Sequence, residues 1–199
     1  MIDHYIDIKF EINRSVYNNM SRFVTSLHIS QVNQSHEKLG FDKDVKISND
    51  YQYPIGISFP NINPKGLGDC IRLHGTLDEL KLLMKIDNWV SYGGDFKIGI
   101  LNKIPDTCKY RSFNRVQLET DKKIDKRRIR VMEKFGASFI EACEQYPYKT
   151  TNLPFLNIIS NTTKCNFPLF INCSDIFDEY KYNGFSSYGL SKTSTIPWF

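Results

Sequence analysis

IDHYIDIKFEINRSVYNNMSRFVTSLH, Ile2 to His28, changes its hydrophobic period partway along. Ile2, Ile6, Ile8 and Phe10 keep to alternate positions, the two-residue repeat of a strand. From Asn13 or Arg14 onward the spacing becomes helical, and Val16, Met20, Phe23, Val24 and Leu27 share one face. A strand feeding directly into a helix opens a βα unit, with His28 at the edge of the helix's apolar face.

Outward from this stretch, the polar run QVNQSHEKLGFDKDVKISNDYQYP (31–54) predicts a long, loose connection. IGISF (55–59) and CIRLH (70–74) follow as short strands around a Pro/Gly/Asn turn region. Thr76 and Glu79 form a capping-box pattern that opens a helix, with Leu77, Leu80, Leu83 and Met84 as its buried stripe. DFKIGIL (95–101) closes the series as a strand. The order β-α-β-β-α-β predicts an α+β chain whose first domain, residues 1–103, is ferredoxin-like: two helices over one face of a four-stranded antiparallel sheet. NKIPDT (102–107) marks the boundary to a second α+β part, residues 104–199. There a strand around RSFNRVQ precedes a strongly basic helix, Gly136 ends that helix, and Ser138 with Glu141 opens another. LPFLNII, FPLFINC and FSSYGL all read as β.

The bulk numbers exclude several classes. With 199 residues, 41% hydrophobic and 24% charged, the chain has the make-up of a soluble globular protein. No apolar run nears the roughly 20 residues that span a membrane, and MIDHYIDIKF has neither the signal-peptide nor the transit pattern. A cytosolic microbial protein is expected. Cys70, Cys108, Cys143, Cys165 and Cys173 are odd in number and far apart, which suits free thiols better than structural zinc or a disulfide framework. A P-loop, a GxGxxG and a cluster of metal-binding carboxylates are all missing, so neither metal nor nucleotide cofactor is expected.

Charge is concentrated rather than spread. Residues 103–134 hold 11 Lys/Arg against 5 Asp/Glu, whereas the whole chain is only +4. Within TDKKIDKRRIRVMEK (120–134), Lys123, Lys126, Arg127, Arg130 and Lys134 share one sector of the helical wheel. Ile124, Val131, Met132, Phe135 and Phe139 lie on another side, and Arg128 points into that apolar sector. Such a stripe is either a salt-bridged, solvated face or a surface for a polyanion. Asp121, Asp125 and Glu133 lie off the stripe, which favours the polyanion, and nucleic acid over a membrane surface because the apolar side is needed for packing and lacks Trp. Arg115 and Gln117, two apart on a strand, share a face; they are the residue types that pair with guanine and adenine, or else two ordinary surface residues.

The C-terminus, YGLSK…PWF (Tyr188–Lys192, Pro197–Phe199), resembles that of the CRISPR repeat-processing endoribonucleases of type I-F systems. Further blocks stand in the matching order: DHYIDI, MSRFVTSLH, IGISFPNIN, RLHGT, YRSFNRVQ with the basic helix after it, and LPFLNIISNTT…F.LFI. The resemblance spans nearly the whole chain, with a longer polar segment between His28 and Ile55 and a basic helix richer in lysine.

The resemblance implies a metal-independent bacterial RNase that recognises one hairpin of the CRISPR repeat, cuts at the 3′ base of its stem and stays bound to the product. It implies an arginine-rich helix lying in the hairpin's major groove, other subunits of a type I-F surveillance complex as partners, and a cytoplasmic setting. By position it makes His28 the catalytic histidine, Ser160 the holder of the 2′-hydroxyl and Tyr188 the residue that orients the histidine. Arg115 and Gln117 become base readers, Arg127 and Arg128 the start of a phosphate-binding cluster with Lys123 and Arg130 on the same helix, and Phe167 the aromatic that stacks on the terminal base pair. Thr162 stands where the family has a second serine.

Without the resemblance His28 reads as a half-buried structural histidine and Tyr188 as a core tyrosine; with it, both become catalytic. Imidazole titrates near the working pH and can serve as general base to the 2′-OH or as general acid to the leaving 5′ oxygen, a choice that the residues leave open. The other histidines, His4 and His74 in strands and His36 in the polar segment, read as structural. A relative that grips the hairpin without cutting it is the alternative, against which His28, Ser160 and Tyr188 stand together.

Overall fold

The computed structural model describes residues 2–13, 15–42, 44–48, 50–85, 96–160 and 163–199. The chain forms two compact units, Met1–Arg115 with Pro154–Phe199, and Val116–Leu153. Its described elements are helices and antiparallel sheets, an α+β fold.

In the first unit, β1 (His4–Phe10) runs between β3 (Cys70–Gly75) and β4 (Phe96–Ile98), and β2 (Gly56–Ser58) lies outside β3. The order β2-β3-β1-β4 is antiparallel throughout, and β5 (Asn102–Lys103) also pairs with β1. The alternation read in β1 is the alternation of burial: Ile6, Ile8 and Phe10 are inside. They meet Met20, Phe23, Val24 and Leu27 of α1 (Val16–Leu39) and Leu80 and Leu83 of α2 (Leu77–Met84) in one core. Each such side chain contributes about 1.5–3 kcal/mol by leaving water. Thr76 caps α2 by accepting from the Glu79 N–H at 3.3 Å, and Met84, expected in the buried stripe, is exposed instead.

Helix α1 corrects the expected long connection, because it continues through Leu39 and stops at Gly40 in the left-handed region (φ 65°). Its second half buries Ser30, Gln31, Gln34, Ser35 and His36. Buried polar groups are tolerated where they find partners. The Ser35 hydroxyl donates to the Gln31 carbonyl at 2.9 Å, and the two His36 ring nitrogens lie 2.9 and 2.7 Å from the carbonyl oxygens of Val32 and Val45. A polar helix face packed inside has no apolar stripe to announce it.

The rest of this unit holds β6 (Lys109–Arg111), β7 (Phe113–Val116, its last residue in the second unit), β8 (Phe155–Ile159), β9 (Asn166–Cys173) and β10 (Ile196–Trp198). They form a sheet ordered β7-β9-β8 and a two-stranded β10-β6 pair, and α1 packs against β8. FSSYGL, expected as a strand, is a turn: Gly189 N–H donates to the Ser186 carbonyl at 2.8 Å, and Gly189 sits at φ 75°.

The second unit is built on α3 (Asp121–Phe135) and α4 (Phe139–Gln145). Gly136, at φ 66°, ends α3, and Ser138 with Glu141 opens α4 through a reciprocal capping box. Ile124 and Ala142 are buried, whereas Phe135 and Phe139, expected on the packing side, are exposed.

Candidate active site and nucleic-acid interface

His28 lies in the middle of α1, about three turns from either end, so its ring is carried by a rigid element. It is half-buried, and Nδ1 is enclosed without a hydrogen-bond partner. The ring of Tyr188 lies against it face to face, with centroids 4.4 Å apart and planes 9° from parallel. Burial lowers the His28 pKa from its ordinary 6.5, because the charged imidazolium loses water. Burial likewise raises the pKa of the Tyr188 phenol, with the charge of Arg115 opposing that rise.

The turn that carries Tyr188 is fastened at several points. Tyr53 and Phe185 exchange backbone hydrogen bonds of 2.8 and 3.0 Å, and the Ile57 N–H donates to the Gly189 carbonyl at 2.8 Å. A Cβ on Gly189 would stand 2.8 Å from Ile57 Cγ2, so glycine is required both by its φ and by the close approach to β2. Gln31 adds a bond from α1, its Nε2 donating to the Ser187 carbonyl at 3.1 Å.

From Tyr188 the contacts run on through two more residues singled out in the sequence. Phe167 on β9 meets Tyr188 edge-on at 6.4 Å, and the Arg115 guanidinium lies 5.0 Å from the centroid of Phe167. His28, Tyr188, Phe167 and Arg115, from four separate segments of the chain, thus form one continuous row.

Ser160 directly follows β8, and both its hydroxyl and its carbonyl are engaged. Its hydroxyl oxygen accepts from the Thr163 N–H at 3.2 Å, its carbonyl accepts from Lys164 N–H at 2.8 Å, and Lys164 adopts φ 55°. The Ser160 hydroxyl keeps its own proton available to donate. Register places Ile158, two residues before it, opposite Phe167. Thr162 lies outside the described residues.

The remaining candidates belong to the second unit. Lys123, Arg127 and Arg130 are exposed on α3, and Gln117 is exposed just past the end of β7. Arg127 has an acidic partner that the helix sequence does not supply: Glu119, ahead of the helix, takes two bonds from its guanidinium at 2.8 and 3.1 Å. Arg128 turns inward. It is 7% exposed, donates to the Tyr146 carbonyl at 2.9 Å, pairs with Asp125 at 3.4 Å and lies 4.1 Å over the Tyr148 ring. The Tyr148 hydroxyl completes the set by donating to Asp125 at 2.6 Å.

The other histidines are engaged elsewhere. His74 is wholly buried, with Nε2 2.8 Å from the Ser58 hydroxyl and a pKa pushed down to about 3 by burial and the nearby Arg72 charge. His4 Nδ1 bonds Asp3 at 2.8 Å. Among the described residues no group of three His, Cys, Asp or Glu could hold a metal ion, and no helix is long and apolar enough to cross a membrane.

Comparison with known proteins agrees with the resemblance read in the motifs. The chain is 27% identical to the CRISPR-associated endonuclease Cas6/Csy4 of Pseudomonas aeruginosa (strain UCBPP-PA14) over 205 aligned positions that cover the whole of both chains. It is 33% identical to the protein of the same name from Escherichia coli (strain UTI89 / UPEC) over 150 positions, 74% of this chain and 80% of that one. The family model described as CRISPR-associated protein (Cas_Csy4) matches residues 5–199, and the chain belongs to that family.

Proposed function

We propose that the chain is a CRISPR repeat-processing endoribonuclease that binds one RNA hairpin, cuts it at the 3′ base of the stem and stays bound to the product. The observation that carries this reading is the His28–Tyr188 stack, with Nδ1 enclosed and the Phe167–Arg115 pair beside it. It is supported by family membership and by the name endonuclease borne by both relatives.

In the reaction, RNA supplies the nucleophile. His28, neutral at pH 7 because burial lowers its pKa, carries its proton on Nδ1 and takes the proton of the 2′-hydroxyl on Nε2. The 2′ oxygen attacks the adjacent phosphorus, the P–O5′ bond breaks, and the leaving 5′ oxygen takes up a proton from water. The products are a 2′,3′-cyclic phosphate and a 5′-hydroxyl. Ser160 fixes the ribose by donating from its hydroxyl, Thr162 adds a second hydroxyl, and Tyr188 holds the imidazole plane. General base help of this kind is typically worth about 10²–10⁴ in rate.

Recognition is divided. Phe167 stacks on the terminal base pair, a contact worth roughly 1–3 kcal/mol, and Arg115 with Gln117 reads base edges at the stem foot. Lys123, Arg127 and Arg130 hold phosphates along the groove, while Arg128 fixes from inside the helix that presents them. Residues 1–103 act as a ferredoxin-like domain, a reading favoured by the strand order β2-β3-β1-β4 with α1 and α2 between strands, and 104–199 as the RNA-holding part. The setting is the bacterial cytoplasm, with the hairpin and other subunits of a type I-F surveillance complex as partners.

The test is a hairpin with a single 2′-deoxy sugar at the scissile nucleotide. It should bind as tightly as the all-ribose hairpin and remain uncut; cleavage of it would rule out the internal nucleophile.

A further inference from the structure

The side chain of Gln31 is 1% exposed and is spent entirely on two backbone groups. Its Oε1 accepts from the Ile55 N–H at 3.2 Å, and its Nε2 donates to the Ser187 carbonyl at 3.1 Å. Ile55 leads into β2, and Ser187 immediately precedes Tyr188. On α1, Gln31 stands three residues after His28, so the two side chains rise from the same side of the helix. We propose that Gln31 is a positioning residue for cleavage: its amide ties the Tyr188 turn to the helix that carries His28 and so keeps the two rings in register.

The proposal rests on the functional reading above and adds to it a residue without contact to substrate. Backbone bonds from Tyr53 and Ile57 fasten the turn to the β2 segment. They fix Tyr188 relative to the sheet, and His28 sits on α1. A carboxamide inside a protein is costly unless both its ends are bonded, and here both are, to the two segments that flank the stack. An apolar residue of similar length could fill the space but would leave the Ile55 N–H and the Ser187 carbonyl without this partner.

Losing the tie lets the turn shift along α1, and water reaches the imidazole. The His28 pKa then moves up toward its ordinary value, since burial is what depresses it. The titratable surroundings are few. Tyr188 faces the ring, and the Arg115 charge reaches Tyr188 from β7. β8, packed on α1, has no titratable side chain, and on β1 the residue in phase with the core is His4, already bonded to Asp3.

The experiment is a double-mutant cycle between Gln31→Met and Tyr188→Ala, read as single-turnover cleavage of the repeat hairpin against pH, with hairpin affinity measured alongside. Gln31→Met should slow cleavage about tenfold, the scale of one or two hydrogen bonds, leave affinity within about twofold, and raise the pH of half-maximal rate. The double variant should be no slower than Tyr188→Ala alone. Gln31→Asn, which stays polar but is one methylene too short to reach both partners, should behave alike and stands in if the Met variant does not fold. Additive effects, or an unchanged pH profile in a folded Gln31 variant, would overturn the role of Gln31 alone. A native chain that binds the hairpin and does not cut it would overturn the nuclease reading, and the positioning role with it.

Discussion

The imidazole of His28 and the phenol ring of Tyr188 lie parallel, 4.4 Å apart, although 160 residues separate them in the chain. A helix supplies one ring and a glycine-containing turn the other. The contact fixes the plane of a histidine that otherwise rotates about two side-chain torsions, which is the kind of restraint a proton-transfer group needs.

The stack uses the face of Tyr188, so the hydroxyl should matter less than the ring. Tyr188→Phe is expected to cleave within about threefold of the native chain, and Tyr188→Ala to lose about ten- to a hundredfold, a share of what general base catalysis supplies. Single-turnover cleavage at saturating protein measures both. Equal loss in the two variants would assign the role to the hydroxyl instead.

The pH dependence follows from burial. A general base works when neutral, and His28 has its pKa lowered from 6.5 by loss of water. Cleavage should therefore rise with pH, reach half its maximum below pH 6.5, and stay level through neutrality. A general acid would give the opposite slope, with the rate falling as pH rises through the same value.

Much of the fold was legible in the sequence, and the reasons are local. The change of period between Phe10 and Val16 is the change from β1 to α1, and Gly136 and Ser138–Glu141 are the helix stop and start that they resemble. What misled were residues whose role is set by distant partners. The second half of α1 looks like a loop because Gln31, Ser35 and His36 are polar, yet each bonds a carbonyl or N–H inside the fold. Gly40 after Lys38 was the available sign that a helix ended there. FSSYGL has the composition of a strand and forms a turn, closed by the Gly189 N–H to the Ser186 carbonyl with Gly189 in the left-handed region. The helical wheel of α3 already turned Arg128 toward the apolar side, where it is buried, but no pattern along the helix could disclose that Glu119, ahead of it, pairs with Arg127.

Arg115 lies over Phe167 with its guanidinium 5.0 Å from the ring centroid. Lysine keeps the charge but lacks the planar fork that pairs with a base edge and stacks on a ring. Arg115→Lys should retain most of the affinity while losing about 1–3 kcal/mol of discrimination against a changed base pair at the stem foot. Competition between native and base-changed hairpins measures it. Unchanged discrimination would remove Arg115 from the base-reading set.

Adjacent arginines on α3 should behave differently. Arg127 is exposed, and its bridge to Glu119 is of a type worth about 0–1 kcal/mol. Arg127→Gln should leave folding intact and reduce the salt slope of hairpin binding by about one. Arg128→Met removes the buried partner of Asp125, Tyr146 and Tyr148 and should lower stability by about 1–3 kcal/mol. Urea unfolding beside binding at several salt concentrations separates the two; a stability loss confined to Arg127 would reverse their roles.

The most direct measurement mixes the native chain and His28→Ala, in EDTA, with a labelled cognate repeat hairpin. Cutting by the native chain alone, leaving a 2′,3′-cyclic phosphate, is the predicted result. Tight binding with no cutting by either protein, or equal cutting by both, would contradict a nuclease that works through His28.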